Sequence, residues 1–201
     1  MNKGSIFLMA LLGLLLIGGC MTCNLQQNLV TSDENVKSKW GEVQNQYQRR
    51  ADLVPNLVNT VKGAASHERE TLEAVISARN QAMSGLKAAA ANPGSAAAMS
   101  ELAGAEGLLA NAMGRLNVVM EAYPDLKASQ NMMQVSEELT TTENKVAFAR
   151  QAFNDAVTAY NTYKQSFPPV FFAKTFGHSE DASLLEFADS AEIQAAPKVQ
   201  F

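Results

Sequence analysis

The chain has 201 residues with a formal net charge of −4 and a sequence pI near 5.2. That length supports one domain with a real core. The acidic balance excludes a basic field for nucleic acid, and Cys20 and Cys23 are the only cysteines, which excludes a disulfide-stapled body.

The N-terminus is the most informative stretch. Lys3 supplies one positive charge, residues 6–17 are almost unbroken Leu, Ile, Met, Phe and Ala, and Ile17-Gly18-Gly19-Cys20 comes directly after. A basic start, an apolar run and small residues before a cut form the pattern of an export signal. The box resembles a bacterial lipoprotein signal, with Ile17 where Leu is commoner. Cys20 is the candidate lipid attachment residue, because its thiol can take a diacylglyceryl group and cleavage before it leaves a lipid-bearing terminus. The alternative is an uncleaved membrane helix, although a span needs about 20 apolar residues and shorter runs are more often signal cores. Residues 1–20 are thus a signal peptide with a lipobox or a membrane anchor. Both place the body on a membrane, outside the cytoplasm. The Cys20–Cys23 pair has redox spacing but lacks the strand and helix pattern that usually surrounds it.

The body begins near Asn28. Thr31, Ser32 and Asp33 are candidate N-caps, and Val36, Trp40, Val43 and Tyr47 then recur at spacings of four, three and four. Ala51, Val54, Leu57, Val58 and Val61 continue the face. Pro55 either kinks this helix or starts a new one capped by Asp52, and Gly63 is a second break. Leu72, Val75, Ile76, Arg79, Met83 and Leu86 carry the pattern on. Asn92-Pro93-Gly94-Ser95 is turn chemistry, with Ser95 able to cap the next helix. Leu102, Ala105, Leu108, Leu109, Ala112, Met113, Leu116, Val119 and Met120 mark that helix, whose Ala103, Gly104, Ala105, Gly107, Ala110 and Gly114 would let neighbours approach closely. Tyr123-Pro124 ends it, and Asp125 is the expected cap of the last helix.

That last helix carries Met132, Leu139, Val146, Phe153, Tyr160 and Phe167 seven apart, with Val135, Thr142, Ala149, Ala156 and Tyr163 on a second line. Sustained heptads predict coiled-coil-like packing along one seam, and residues 126–167 would extend roughly 60 Å. Pro168-Pro169 stops the helix. The expected fold is all-α: an elongated antiparallel helical bundle over residues 28–167, with three long helices, one of which splits to make four if Pro55 breaks it. Residues 168–201 read as a partly ordered acidic tail whose Phe171, Phe172 and Phe176 fold back on the bundle.

Chemistry-bearing motifs are sparse. His67-Glu68 would need a second His at position 71 to read as a zinc helix, and Thr71 stands there. No cofactor or metal is expected, nor enzyme activity. Arg49, Arg50, Asn56, Glu143 and Arg150 are candidate partner-binding residues along a polar groove. The competing and favoured reading is architectural, with Arg50 or Arg49 facing Glu143 to fix helix register. At the end of the chain, Val199 and Phe201 offer an apolar terminus of the kind that adds a strand to a PDZ-like groove, or they dock on the bundle itself.

These residues together resemble the bacterial LemA family. The matching stretches are residues 47–58 (YQRRADLVPNLV), 61–63 (VKG), 67–70 (HERE), 121–128 (EAYPDLKA), 143–150 (ENKVAFAR), 153–157 (FNDAV), Tyr160-Asn161, Phe167-Pro168 and 196–199 (APKV). Phe153 stands where the family usually has Tyr, Ala64 where Tyr is usual after Gly63, and Cys23-Asn24 in place of a common Tyr-Asn. The resemblance implies a membrane-attached antiparallel helical bundle without an established activity; relatives occur near membrane proteases and on organelle membranes. The expected function is a non-enzymatic, membrane-tethered scaffold of the bacterial cell envelope. The alternative is a regulatory or adaptor subunit of a membrane protease in envelope quality control. Expected partners are membrane lipid through the N-terminus, envelope or membrane proteins and a second copy of the chain, with no nucleic acid.

Overall fold

The computed structural model describes residues 3–186. In chain order these form α1 (Lys3–Ala64), α2 (Arg69–Ala91), α3 (Ala96–Glu121), the single turn α4 (Pro124–Lys127), α5 (Gln130–Gln165) and the single turn α6 (Pro169–Phe172). There is no strand among the described residues, and the fold is all-α. Val199 and Phe201 lie outside the described residues.

With 62 residues, α1 is roughly 90 Å long. Two sequence patterns succeed one another along it without a break. Phe7, Leu8, Leu11, Leu12, Leu14 to Ile17 and Met21 are all exposed, around the whole helix. This stretch is long and apolar enough to cross a bilayer, with a window of mean hydropathy 2.0. From Leu25 onward a single stripe is buried: Leu25, Leu29, Val36, Trp40, Val43, Tyr47, Ala51, Val54, Leu57 and Val61. Thr31, Ser32 and Asp33, expected as caps, lie mid-helix instead. No helix needs starting there, because α1 already arrives from Lys3.

Pro55 does not divide the helix. Proline lacks the N–H that would reach the carbonyl four residues back. Here that carbonyl belongs to Ala51, and it accepts a hydrogen bond from Arg79 Nε of α2 at 2.9 Å. The guanidinium also lies 3.7 Å from Asp52. A neighbouring helix thus supplies the donor that proline removes, and the division falls later, at residues 65–68.

The long helices α1, α2, α3 and α5 form the body, α5 packing along α1 and α2 against both α1 and α3. The α1–α5 pair is antiparallel: Trp40 meets Phe153 edge-on with ring centroids 5.4 Å apart, and Arg50, farther along α1, meets Glu143, farther back on α5. Along the expected seam, Met132, Val146, Phe153 and Tyr160 are buried, as are Thr142, Ala149 and Ala156. Phe167 is exposed, because α5 has already ended at Gln165. Ser129 caps α5, accepting from the Met132 N–H at 3.3 Å, while Asp125 sits within α4. The close approach expected at the α3 glycines occurs on α2: a Cβ on Gly85 would lie 3.1 Å from Leu102 Cα, whereas Gly104, Gly107 and Gly114 face open space.

Beyond α6 the chain turns back along α5. Asn161 accepts from the Ala182 N–H at 3.0 Å and donates to the Ala182 carbonyl at 2.8 Å. Asn154 repeats this with Leu185, at 2.8 and 3.2 Å. Two asparagine amides, two helical turns apart, thus read an extended backbone as a neighbouring strand would. The Ser183 N–H donates to Gly94 O at 2.7 Å, at the α2–α3 turn. Gly94 has φ +86, and a Cβ there would press on Ala182 at 3.1 Å, so glycine serves both the turn and the contact. Leu185 is fully buried. The packed body therefore extends past Phe167 to at least Leu185.

The interior falls into two clusters. One contains Val36, Trp40, Val43, Tyr47, Leu86, Met99, Leu102, Val146, Phe153, Tyr160 and Leu185. The other contains Val54, Leu57, Val61, Leu72, Val75, Leu109, Leu116, Leu126 and Met132.

Candidate functional site

Between those clusters lies a polar layer. Arg50 is buried on α1 and pairs with Glu106 of α3, itself only 5% exposed, through its Nη2. Its Nη1 reaches Glu143 of α5 at 3.3 Å. The guanidinium also stands over the Tyr47 ring, 4.9 Å from its centroid. One side chain thus ties three helices together at one level, with a cavity of about 130 Å³ beside it lined by Arg50, Val54, Leu109, Met113, Leu139 and Glu143.

The local sequence places these groups with economy. Arg50 comes after Val43 and Tyr47 at helical spacing, so it inherits their inward direction. Glu106 falls between Leu102 and Leu109 on the buried face of α3, and Glu143 adjoins Thr142 on α5. A buried charge without a partner is strongly unfavourable, whereas a paired one fixes register at little net gain in stability. Tyr47 is buried too, which pushes its phenol up to about 12, against the opposing pull of the Arg150 and Arg50 charges. Its hydroxyl, the Trp40 indole N–H and the Arg50 Nε find no hydrogen-bond partner among the described residues.

The candidate residues separate accordingly. Arg50 and Glu143 are brought together. Arg49 and Asn56 are exposed on α1 and outside the layer. Arg150 is half-buried, two turns of α5 away from Glu143. Cys20 is exposed on α1 among the outward apolar side chains, and Cys23 is a free thiol nearby. Glu106 escaped sequence reading. Its signal was a single carboxylate within the Leu102, Leu109, Leu116 face, hidden in a helix whose many small residues drew attention to close packing instead.

A second polar group fastens the returning chain. Lys164, buried on α5, donates to the Glu180 carbonyl and lies 2.6 Å from the Asp181 carboxylate. The hydrogen bond from Lys164 holds the Asp181 carboxyl below its usual range. Tyr160 and His178 Nδ1 are 2.9 Å apart. Burial, then the Asp33 and Asp181 charges, raises the Tyr160 phenol.

Through these contacts the two groups join helices and tail. Among known proteins, residues 39–201 match the LemA family. The chain is 25% identical to Magnetosome protein MamQ of Magnetospirillum gryphiswaldense, over 88% of this chain and 71% of that protein. It is 26% identical to Magnetosome protein MamQ 2 and MamQ 1 of Paramagnetospirillum magneticum, over 66% of this chain and 54% of each relative. It thus spans about half the length of the latter two.

Proposed function

Given that the chain belongs to the LemA family, we propose that it is a non-enzymatic scaffold tethered to a bacterial envelope membrane, presenting a long helical body to partner proteins. One observation carries this reading. The unpartnered apolar stretch from Phe7 to Met21 and the buried stripe from Leu25 onward belong to one continuous helix, so either tether, acyl chains on Cys20 or the apolar helix itself, would join the body without a linker. The relatives named as magnetosome proteins agree with a membrane-associated role.

The tether is either acyl chains on Cys20 or the apolar helix itself. Native membranes from cells carrying the wild type or Cys20→Ala separate the two. Loss of residues 1–19 with added acyl mass, abolished by Cys20→Ala, identifies the lipid. An intact, unmodified N-terminus identifies the helix. Release of the wild type from membranes by alkaline carbonate would refute the tether altogether. Cross-linking from the outward Phe148, beside Glu42 and Gln46 in the α1–α5 groove, then tests the scaffold. A discrete adduct with another envelope protein is expected, and its absence with cross-linkers at several body positions would count against presentation.

A further inference from the structure

Three side chains at one end of the body have no architectural duty. Phe167 is 81% exposed, Phe171 70% and Val170 47%. Phe167 and Phe171 contact each other edge-on, with centroids 6.0 Å apart, and the exposed Lys174 comes shortly after. The opposite side of the same turn packs inward through Pro169 and Ala173, with Phe172 stacked on Phe176. The segment is therefore two-sided, and its apolar outer side faces away from the bundle.

Its position along the body can be read from contacts. Trp40 pairs with Phe153 and Arg50 with Glu143, and the Tyr160 phenol feels the charge of Asp33. In that register the last residue of α5, Gln165, comes level with Asn28 of α1, and Phe167 follows just beyond it. The chain then reverses, since His178, Ala182 and Leu185 climb back past Tyr160, Asn161 and Asn154. Phe167 to Phe171 is thus the turning point at the end of the body. That is the end from which α1 continues into the exposed apolar run ending at Met21. Whether acyl chains on Cys20 or the helix itself enters the bilayer, its surface lies within about 10 Å of this level along α1.

We propose that Phe167, Val170 and Phe171 rest in the bilayer interface as a second membrane contact beside α1, with Lys174 at the headgroups. This rests on the tethered reading above. An apolar patch rimmed by a basic residue and held at interfacial depth matches the chemistry of peripheral membrane contacts. Two contact points fix the tilt of a rod that one point would leave free to swing.

The full chain, reconstituted in phosphatidylethanolamine–phosphatidylglycerol vesicles, tests this with Phe171→Trp beside Phe148→Trp. Phe148 is equally exposed, at 78%, but lies midway up the body. The indole added at 171 is expected to emit to the blue of one in water and to lose most of its intensity when the lipid is brominated. The one added at 148 should be unaffected. A water-like, unquenched indole at 171 in protein that floats with the vesicles overturns the contact alone. A blue-shifted but unquenched indole means that another protein surface, such as a second copy, covers the patch, and overturns it too. Quenching at both positions shows a body lying flat and overturns the end-on contact. Failure to float overturns the tether, and this proposal with it.

Discussion

Trp40, Tyr47, Phe153 and Tyr160 fill the core on the side of the Arg50 layer nearer the N-terminal apolar run. On the far side Val54, Leu57, Val61, Leu72, Val75, Leu109 and Leu116 do so, with no fully buried ring among the described residues. The near half concentrates its burial in a few rigid rings with directional contacts, and the returning chain straps it through Asn154 and Asn161. The far half spreads burial over many aliphatic groups, and among the described residues Arg79 supplies its directional links between helices, to the Ala51 carbonyl and to Asp52. Specific geometry is found in the half next to the N-terminal apolar run, and forgiving packing in the half away from it.

The boundary between the halves offers the largest perturbation. Arg50→Ala strands Glu106 in the interior and should cost about 3–5 kcal/mol in denaturant unfolding. Replacing both residues together, as Arg50→Met with Glu106→Leu, should recover most of that loss. A single variant as stable as the wild type would show that the layer locks nothing. Next comes a test of the contrast itself. Phe153→Ala is expected to cost about 3–5 kcal/mol and Leu116→Ala nearer the low end of about 2–5 kcal/mol, because aliphatic neighbours can close around the smaller gap. Equal losses would erase the distinction between the halves.

The smallest effect is a matter of pH. Burial raises the Tyr47 phenol from 10.0 to about 12. The folded state therefore holds the proton longer than the unfolded chain does. The corresponding stability is complete below pH 10 and is lost as pH rises toward 12. Comparison with Tyr47→Phe isolates it: the variant should gain on the wild type by roughly 2–3 kcal/mol across that window. A constant difference would place the hydroxyl in contact with water.

Periodicity made much of the fold legible in advance. The Val36 to Tyr47 stripe and the heptad positions from Met132 to Tyr160 could be read because a helix repeats its inward direction. Phe167 carried the same heptad phase yet lies outside, since register says nothing about where a helix stops. Pro55 was ambiguous for a different reason. Its consequence depended on a donor from another helix, and Arg79 is recognisable as that donor only once α2 is folded against α1. The asparagine clasp was hidden likewise: Asn154 and Asn161 hold backbone, which has no sequence signature. Arg50 with Glu143 was anticipated; Glu106 was not, because one carboxylate in an Ala- and Gly-rich helix reads as solvated.

The unbroken course of α1 from Lys3 to Ala64 has one more consequence. A helix advances about 100° for each residue, and no break separates the exposed apolar stretch from the stripe that begins at Leu25. The compass bearing of every face of the body is therefore set by counting residues. Adding or deleting one between Met21 and Leu25 would leave composition, length and core almost unchanged, yet would swing the whole body about a quarter turn relative to the apolar stretch.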